Sequence, residues 1–305
     1  MMPLCSLART FFSMPKLTRE LRIIGLLGMT ILLLASICLA TVENYSLVFQ
    51  WLLISALLWG LVWQQSAKRL QDNRESVNDA LYPSLGWANR LTILRGFLIA
   101  LCAGFLWQSF NHTLLLWLPA FFYSVAAILD RVDGFVARKT QQTSLMGNAL
   151  DNVFDALGLL IAPLLALNFA KIHWAYLLVS GAYYAFHLGL RWRSRNGLAN
   201  HPLTPNLLRR TLAGFQMGYI AVVLWPPFDA QITRLAGFAF MLPILIGFIV
   251  DWLVVSGRVD LQRARSQKFF DALATSSINW GQPCLRLLFL IALAAMEQGL
   301  AHCSR

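Results

Sequence analysis

The chain has 305 residues, 58% of them hydrophobic and only 13% charged, with a formal net charge of +11. That much apolar surface excludes an ordinary soluble domain. Repeated runs near the ~17–25 residues needed to cross a bilayer point instead to an all-α, polytopic membrane protein.

In chain order, residues 1–22 form a basic N-terminus, followed by predicted spans at 23–41 and 47–63. The first resembles a secretory signal in its basic flank and small-residue end. Its long basic region and the span that follows at once favour an uncleaved anchor. Residues 64–88 are a polar linker carrying Asp72, Arg74, Glu75, Asn78 and Asp79, closed by the Tyr82–Gly86 break. Six further spans are predicted at 92–108, 114–130, 150–168, 174–190, 211–226 and 235–255, joined by short loops as in a helical bundle. In the last segment, 256–305, an apolar run at 285–300 is interrupted by Arg286 and Glu297, so a ninth span and an interfacial helix fit it equally well.

The positive charge is spread along the chain in alternate segments, which argues against a nucleic-acid partner. Twenty Lys and Arg lie before span one, after spans two, four and six, and between span eight and the run at 285–300, against only Lys171 and Arg234 in the intervening loops. This bias predicts that the N-terminus, the acidic stretch from Asp130 to Asp155 and the segment after span eight are cytoplasmic. Tryptophans near span ends (Trp51, Trp63, Trp107, Trp174, Trp225, Trp252) read as interfacial anchors. The five cysteines have neither metal-site nor disulfide spacing and read as small apolar packers.

The chemistry-bearing stretch lies between spans four and five. Asp130 and Asp133 are spaced i,i+3, and Gly147, Asp151 and Asp155 are spaced i,i+4,i+8, so each set lies on one helix face. Two antiparallel helices presenting these faces would converge four carboxylates. An ionisable residue at membrane depth costs roughly 2.5–3.5 kcal/mol on insertion scales, so such a cluster is expected to be partnered and functional. Like charges that close require a cation among them. Hard oxygen donors select Mg²⁺ or Mn²⁺, and a carboxylate-rich two-helix site commonly holds two ions. A divalent-cation transporter whose acidic helices line an ion path is the alternative; it needs carboxylates spread through the bilayer rather than gathered at one edge.

The full pattern, D-x2-D-G-x2-A-R-x8-G-x3-D-x3-D over Asp130, Asp133, Gly134, Ala137, Arg138, Gly147, Asp151 and Asp155, resembles the signature of the CDP-alcohol phosphatidyltransferase family. Upstream, Asn89, Thr92 and Arg95 are similar to that family's P-N-x-L-T-x-x-R motif before its first core helix, with Ala88 where proline is usual. The resemblance covers about 89–255 and implies a six-helix core, preceded here by an accessory hairpin at 23–63. It further implies transfer of a phosphatidyl or related group from a CDP-alcohol lipid to a hydroxyl acceptor, with release of CMP. Asp130, Asp133, Asp151 and Asp155 would hold the metals, and Asp155 would also take the acceptor's proton. Asn89, Thr92, Gly134, Ala137, Arg138, Ser144 and Gly147 are the expected CDP-alcohol contacts. Gly134 and Ala137 leave space for the nucleotide, and Arg138 offers a planar fork to the diphosphate. The acceptor is not fixed by the pattern, although the Pro and Lys usual in the glycerophosphate type are replaced by Asn152 and Ala156. A phosphorylated acceptor would find Arg191, Arg193, Arg195, Arg209 and Arg210 after span six, which topological anchoring alone also explains. A homodimer is compatible with all of this.

Overall fold

The computed structural model describes residues 4–108, 112–203 and 207–258. Among them the chain is all-α: α1 (Leu4–Leu39), α2 (Tyr45–Lys68), α3 (Gly86–Ala103), α4 (Trp117–Lys139), α5 (Leu145–Asn168), α6 (Leu177–Arg195), α7 (Leu207–Val223) and α8 (Ala230–Val255). Two helices thus precede a six-helix core, as the sequence implies. The run at 285–300 lies outside the described residues. The chain divides into two compact units, Met1–Asn168 and Phe169–Arg305.

Five of the eight expected spans are both long and apolar enough to cross a membrane: Met14–Leu39, Tyr45–Lys68, Thr113–Lys139, Leu145–Asn168 and Ala230–Val255. Their outward faces are bare leucine, isoleucine and phenylalanine, such as Leu26, Leu34, Ile37, Phe49 and Leu57, which only hydrocarbon solvates without penalty. The three helices that fall short do so for visible reasons. Helix α3 carries Asn89, Arg90, Thr92 and Arg95, α6 ends on Arg191, Arg193 and Arg195, and α7 has only 17 residues.

In the first unit α3 is the pivot, packed by α2, α4 and α5. It is buried on nearly every side, from Asn89 and Thr92 through Arg95 to Ala103. A helix buried all round shows little amphipathic pattern, which is why its polar residues stand out. Gly96 permits the crowding: a Cβ there would lie 2.8 Å from Val62 of α2 and 3.2 Å from the Phe154 ring of α5. Trp59 of α2 meets Phe97 of α3 edge-on, with ring centroids 4.9 Å apart.

The hairpin α1–α2 is fastened by two indoles. Trp59 Nε1 donates to the Gly25 carbonyl and Trp63 Nε1 to the Leu21 carbonyl, each at 3.1 Å. Gly25 and Gly28 make room for these rings. Next to Leu21, Glu20 Oε2 accepts from Leu85 N at 3.2 Å and from Arg90 Nη2 at 3.1 Å, tying α1 to the start of α3. Helix α3 begins at Gly86, whose φ of 75° suits glycine. Ala88 therefore falls in the first turn, where a proline would have donated no bond and Ala is equally acceptable.

The linker is ordered. A 3₁₀ turn at Leu70–Asp72 leads to Asn73, which is fully buried. Tyr82 N donates to Asn73 O at 2.8 Å, Leu145 N to Arg74 O at 2.9 Å, and Tyr82 Oη to Thr143 O at 3.2 Å. The segment thereby bridges the start of α3 and the α4–α5 turn.

In the second unit, the two cations of the predicted non-cytoplasmic loops are both engaged. Lys171 Nζ donates to the carbonyls of Pro226 and Phe228, and Arg234 Nε donates to Ala170 O at 2.7 Å. Burial lowers the Lys171 ammonium below the usual lysine range, partly offset by Asp229. Asp229 caps α8 by accepting from Gln231 N at 2.7 Å and Ile232 N at 3.2 Å.

Candidate active site

The acidic stretch lies deeper in its helices than the span boundaries suggested. Helix α4 continues through Asp130 and Asp133 to Lys139, and α5 begins at Leu145, so Asp151 and Asp155 sit in its second and third turns. Ser144 starts α5: its Oγ accepts from Gly147 N at 2.9 Å, satisfying one of the free amides of the first turn.

Three of the four carboxylates converge. Asp130, Asp151 and Asp155 each offer an oxygen such that all three atoms lie within 4.8 Å of one another. Asp133, the most buried of the four, stands beside this group with its Oδ2 accepting from Thr92 Oγ1 at 2.8 Å. Thr92 Oγ1 in turn lies 3.0 Å from Ala88 O. Thr92 therefore holds a predicted metal ligand in place.

Between the carboxylates lies a residue not expected in the site. The Arg95 guanidinium donates through Nη1 to Asp130 Oδ1 and through Nη2 to Asp151 Oδ1 at 2.7 Å and Asp151 O at 3.2 Å, and its Nη2 stands 3.4 Å from Asp155 Oδ1. Its side chain is only 2% exposed. A planar fork can serve carboxylates from two helices at once, whereas a lysine would serve one. The sequence did carry a signal. Asn89, Thr92 and Arg95 recur every third residue on one face, and an arginine inside a buried helix demands a partner.

The remaining expected contacts surround this centre. A Cβ on Gly134 would lie 3.4 Å from Arg138 Nη1, ordinary contact distance, so the exposed Arg138 side chain reaches back over an otherwise open helix face. Ala137 is half-buried on that helix. Gly147 is held close to α3, where a Cβ would sit 2.7 Å from Asn89 Oδ1 and 3.1 Å from Ser144 Oγ. Asn89 is 4% exposed, and both its amide hydrogens are committed: Nδ2 donates to Asn73 Oδ1 and to Leu85 O, each at 2.9 Å.

A family model described as CDP-alcohol phosphatidyltransferase matches residues 85–254. The chain belongs to the CDP-alcohol phosphatidyltransferase family. No curated protein matched the chain as a relative. The matched region begins at the α3 cap and ends in the last turn of α8, leaving α1, α2 and most of the linker outside this phosphatidyltransferase domain.

The donor set suits a hard divalent cation. Three carboxylates from two helices bring oxygens within 4.8 Å of one another, and the buried Asp155 Oδ1 accepts no hydrogen bond although Arg95 Nη2 stands 3.4 Å away.

The arginines after α5 belong to the second unit. Arg191, Arg193 and Arg195 occupy the last turns of α6. Arg193 is already engaged, donating through Nη2 to Ala199 O at 2.7 Å and through Nε to Asn200 Oδ1 at 3.2 Å, and it stands over the Trp252 ring. Arg191 and Arg195 are exposed. Arg209 and Arg210 fall in α7, but their side chains lie outside the described ones.

Proposed function

We propose that the protein transfers a phosphatidyl, or related phospho-alcohol, group from a CDP-alcohol such as CDP-diacylglycerol to a hydroxyl acceptor, releasing CMP at the cytoplasmic face of the membrane in phospholipid synthesis. The observation that carries this reading is the carboxylate triad of Asp130, Asp151 and Asp155, lying within the region matched to the family. One or two Mg²⁺ or Mn²⁺ ions on these residues and Asp133 would neutralise the diphosphate and the departing CMP.

The acceptor's hydroxyl oxygen forms the new bond to the phosphorus that carries the lipid alcohol. The bond from that phosphorus to the CMP oxygen breaks, and CMP leaves with the electron pair. Asp155 takes the hydroxyl proton on a carboxylate whose Oδ1 accepts no hydrogen bond and has the Arg95 Nη2 3.4 Å away. Arg138 receives the diphosphate, Gly134 and Ala137 leave the nucleotide room against α4, and Thr92 keeps Asp133 oriented. Asn89, Ser144 and Gly147 bring the start of α5 against α3 and so shape the floor under the donor.

A metal-ion path is the less favoured reading, because the acids gather at one place and are bridged by an arginine. Purified protein given CDP-diacylglycerol, Mn²⁺ and a panel of alcohols is expected to release CMP only when a hydroxyl acceptor is present. Liposome uptake of Mn²⁺ with no CMP release from any CDP-alcohol would favour the path instead.

The acceptor is proposed to be anionic and to draw on the basic segment after α6. Arg193 closes its own loop, so the contribution is expected from Arg191, Arg195, Arg209 or Arg210. A charge-assisted contact is worth ~1.5–3 kcal/mol, so losing one raises the acceptor KM about tenfold or more. Arg191→Ala and Arg209→Ala, assayed separately, are expected to raise the acceptor KM while the CDP-alcohol KM stays put. Unchanged acceptor KM in both, or preference for an uncharged alcohol, would leave these arginines as topological anchors.

A further inference from the structure

We propose that Asn73, in the linker outside the region matched to the family, is a positioning residue of the CDP-alcohol site; the inference rests on the transferase reading above. Asn73 is fully buried and spans a gap in the chain of polar contacts around the start of α3. Its Nδ2 donates to Ser84 O at 2.9 Å, and its Oδ1 accepts from Asn89 Nδ2 at 2.9 Å. From there the bonds run in one direction. Ser144 Oγ donates to Asn89 Oδ1 at 3.1 Å, and Gly147 N donates to Ser144 Oγ at 2.9 Å.

The donor and acceptor count leaves little freedom. Gly147 has one amide hydrogen, Ser144 one hydroxyl hydrogen, and Asn89 two amide hydrogens, of which one goes to Leu85 O. Only an acceptor can sit where Asn73 Oδ1 sits, and only with Asn89 turned this way does its Oδ1 face Ser144. Asn73 therefore fixes the amide orientation of Asn89, which fixes the Ser144 hydroxyl, which holds Gly147 and the first turn of α5 against α3. Asp151 lies one turn further along that helix. A polar chain buried this completely loses more than one bond when one member is removed.

The alternative is that Asn73 only folds the linker, through Ser84 O. The KM split and local amide exchange separate these roles. Asn73→Asp, held neutral at this burial, keeps an acceptor for Asn89 Nδ2 and a hydroxyl donor for Ser84 O, and so is the conservative rescue. Asn73→Ala loses both. The full-length protein would be assayed for CMP release against CDP-diacylglycerol with Mn²⁺. Asp79→Ala, in the exposed part of the linker, serves as the control.

Asn73→Ala is expected to raise the CDP-alcohol KM about tenfold with the acceptor KM unchanged. Asn73→Asp should stay within about threefold of the parent. If Asn73→Asp is as impaired as Asn73→Ala, or neither changes the CDP-alcohol KM, the positioning role is refuted. Amide hydrogen exchange gives a readout that does not depend on turnover: Asn73→Ala should speed exchange over 145–148, and unchanged protection there also refutes the clamp. If the parent protein releases no CMP, the transferase reading fails, and the exchange result alone decides whether Asn73 holds α5.

Discussion

Replacing Asp151 with Asn is expected to lower CMP release by about a thousandfold or more, while the protein still inserts and purifies as a single species. The substitution keeps the side chain's size, and its Oδ1 can still accept from Arg95 Nη2. The Asp151 main-chain oxygen, which also accepts from that nitrogen, is untouched. What is lost is one negative charge of a three-carboxylate group whose oxygens lie within 4.8 Å of one another. An amide is a poor ligand for a hard divalent ion, so the loss should fall on catalysis rather than on folding. Near-normal turnover of Asp151→Asn with Mg²⁺ or Mn²⁺ would rule out metal binding by this cluster.

Arg95→Ala should have the largest effect on stability. Removing one partner of a buried ion pair costs about 3–5 kcal/mol because the other charge is left uncompensated. The partly exposed Asp151 and Asp155 recover some of that from solvent, so about 3 kcal/mol is the expected scale. The more telling result is a change in metal dependence. Without the guanidinium, no cation of the described residues is ion-paired with the triad to compete with a divalent ion. Mn²⁺ should therefore raise the melting temperature of Arg95→Ala considerably more than that of the parent protein. Equal shifts in both proteins would show that Arg95 and the metal do not share the carboxylates. Arg95→Lys should not restore the parent behaviour, since a single ammonium cannot bridge Asp130 and Asp151 from one position.

The acidic pairs were legible because helical spacing is local: i,i+3 and i,i+4 fix a common face whatever the tertiary packing. The number and order of helices followed from apolar runs for the same reason. Helix ends were less legible. The polar residues of α3 and the charged last turns of α4 read as boundaries, yet both helices run through them, since Asn73, Thr92 and Arg95 supply partners that periodicity does not reveal. The linker was hardest to read. Its composition marks a turn-rich connection, and its burial depends on Asn89, Thr143 and Leu145, which lie well beyond it in sequence. Asp133 stands beside the three converging carboxylates with its Oδ2 held by Thr92 Oγ1, a partner on another helix that spacing along α4 does not reveal.

The two indoles between α1 and α2 act as a ruler. Trp59 and Trp63 are one turn apart, as are the carbonyls of Gly25 and Leu21 that they reach, and the order is antiparallel. Sliding α1 by a single turn would take Gly25 and Gly28, at which a Cβ would lie 2.7 Å from Trp63 and 2.5 Å from Trp59, away from the two rings and set bulkier side chains against them. The helices are thus held at one height relative to each other. Glu20 precedes Leu21 directly, so the same measurement sets where its carboxylate meets Leu85 and Arg90 at the head of α3. A length fixed between α1 and α2 is in this way passed to the polar end of the helix that carries Asn89, Thr92 and Arg95.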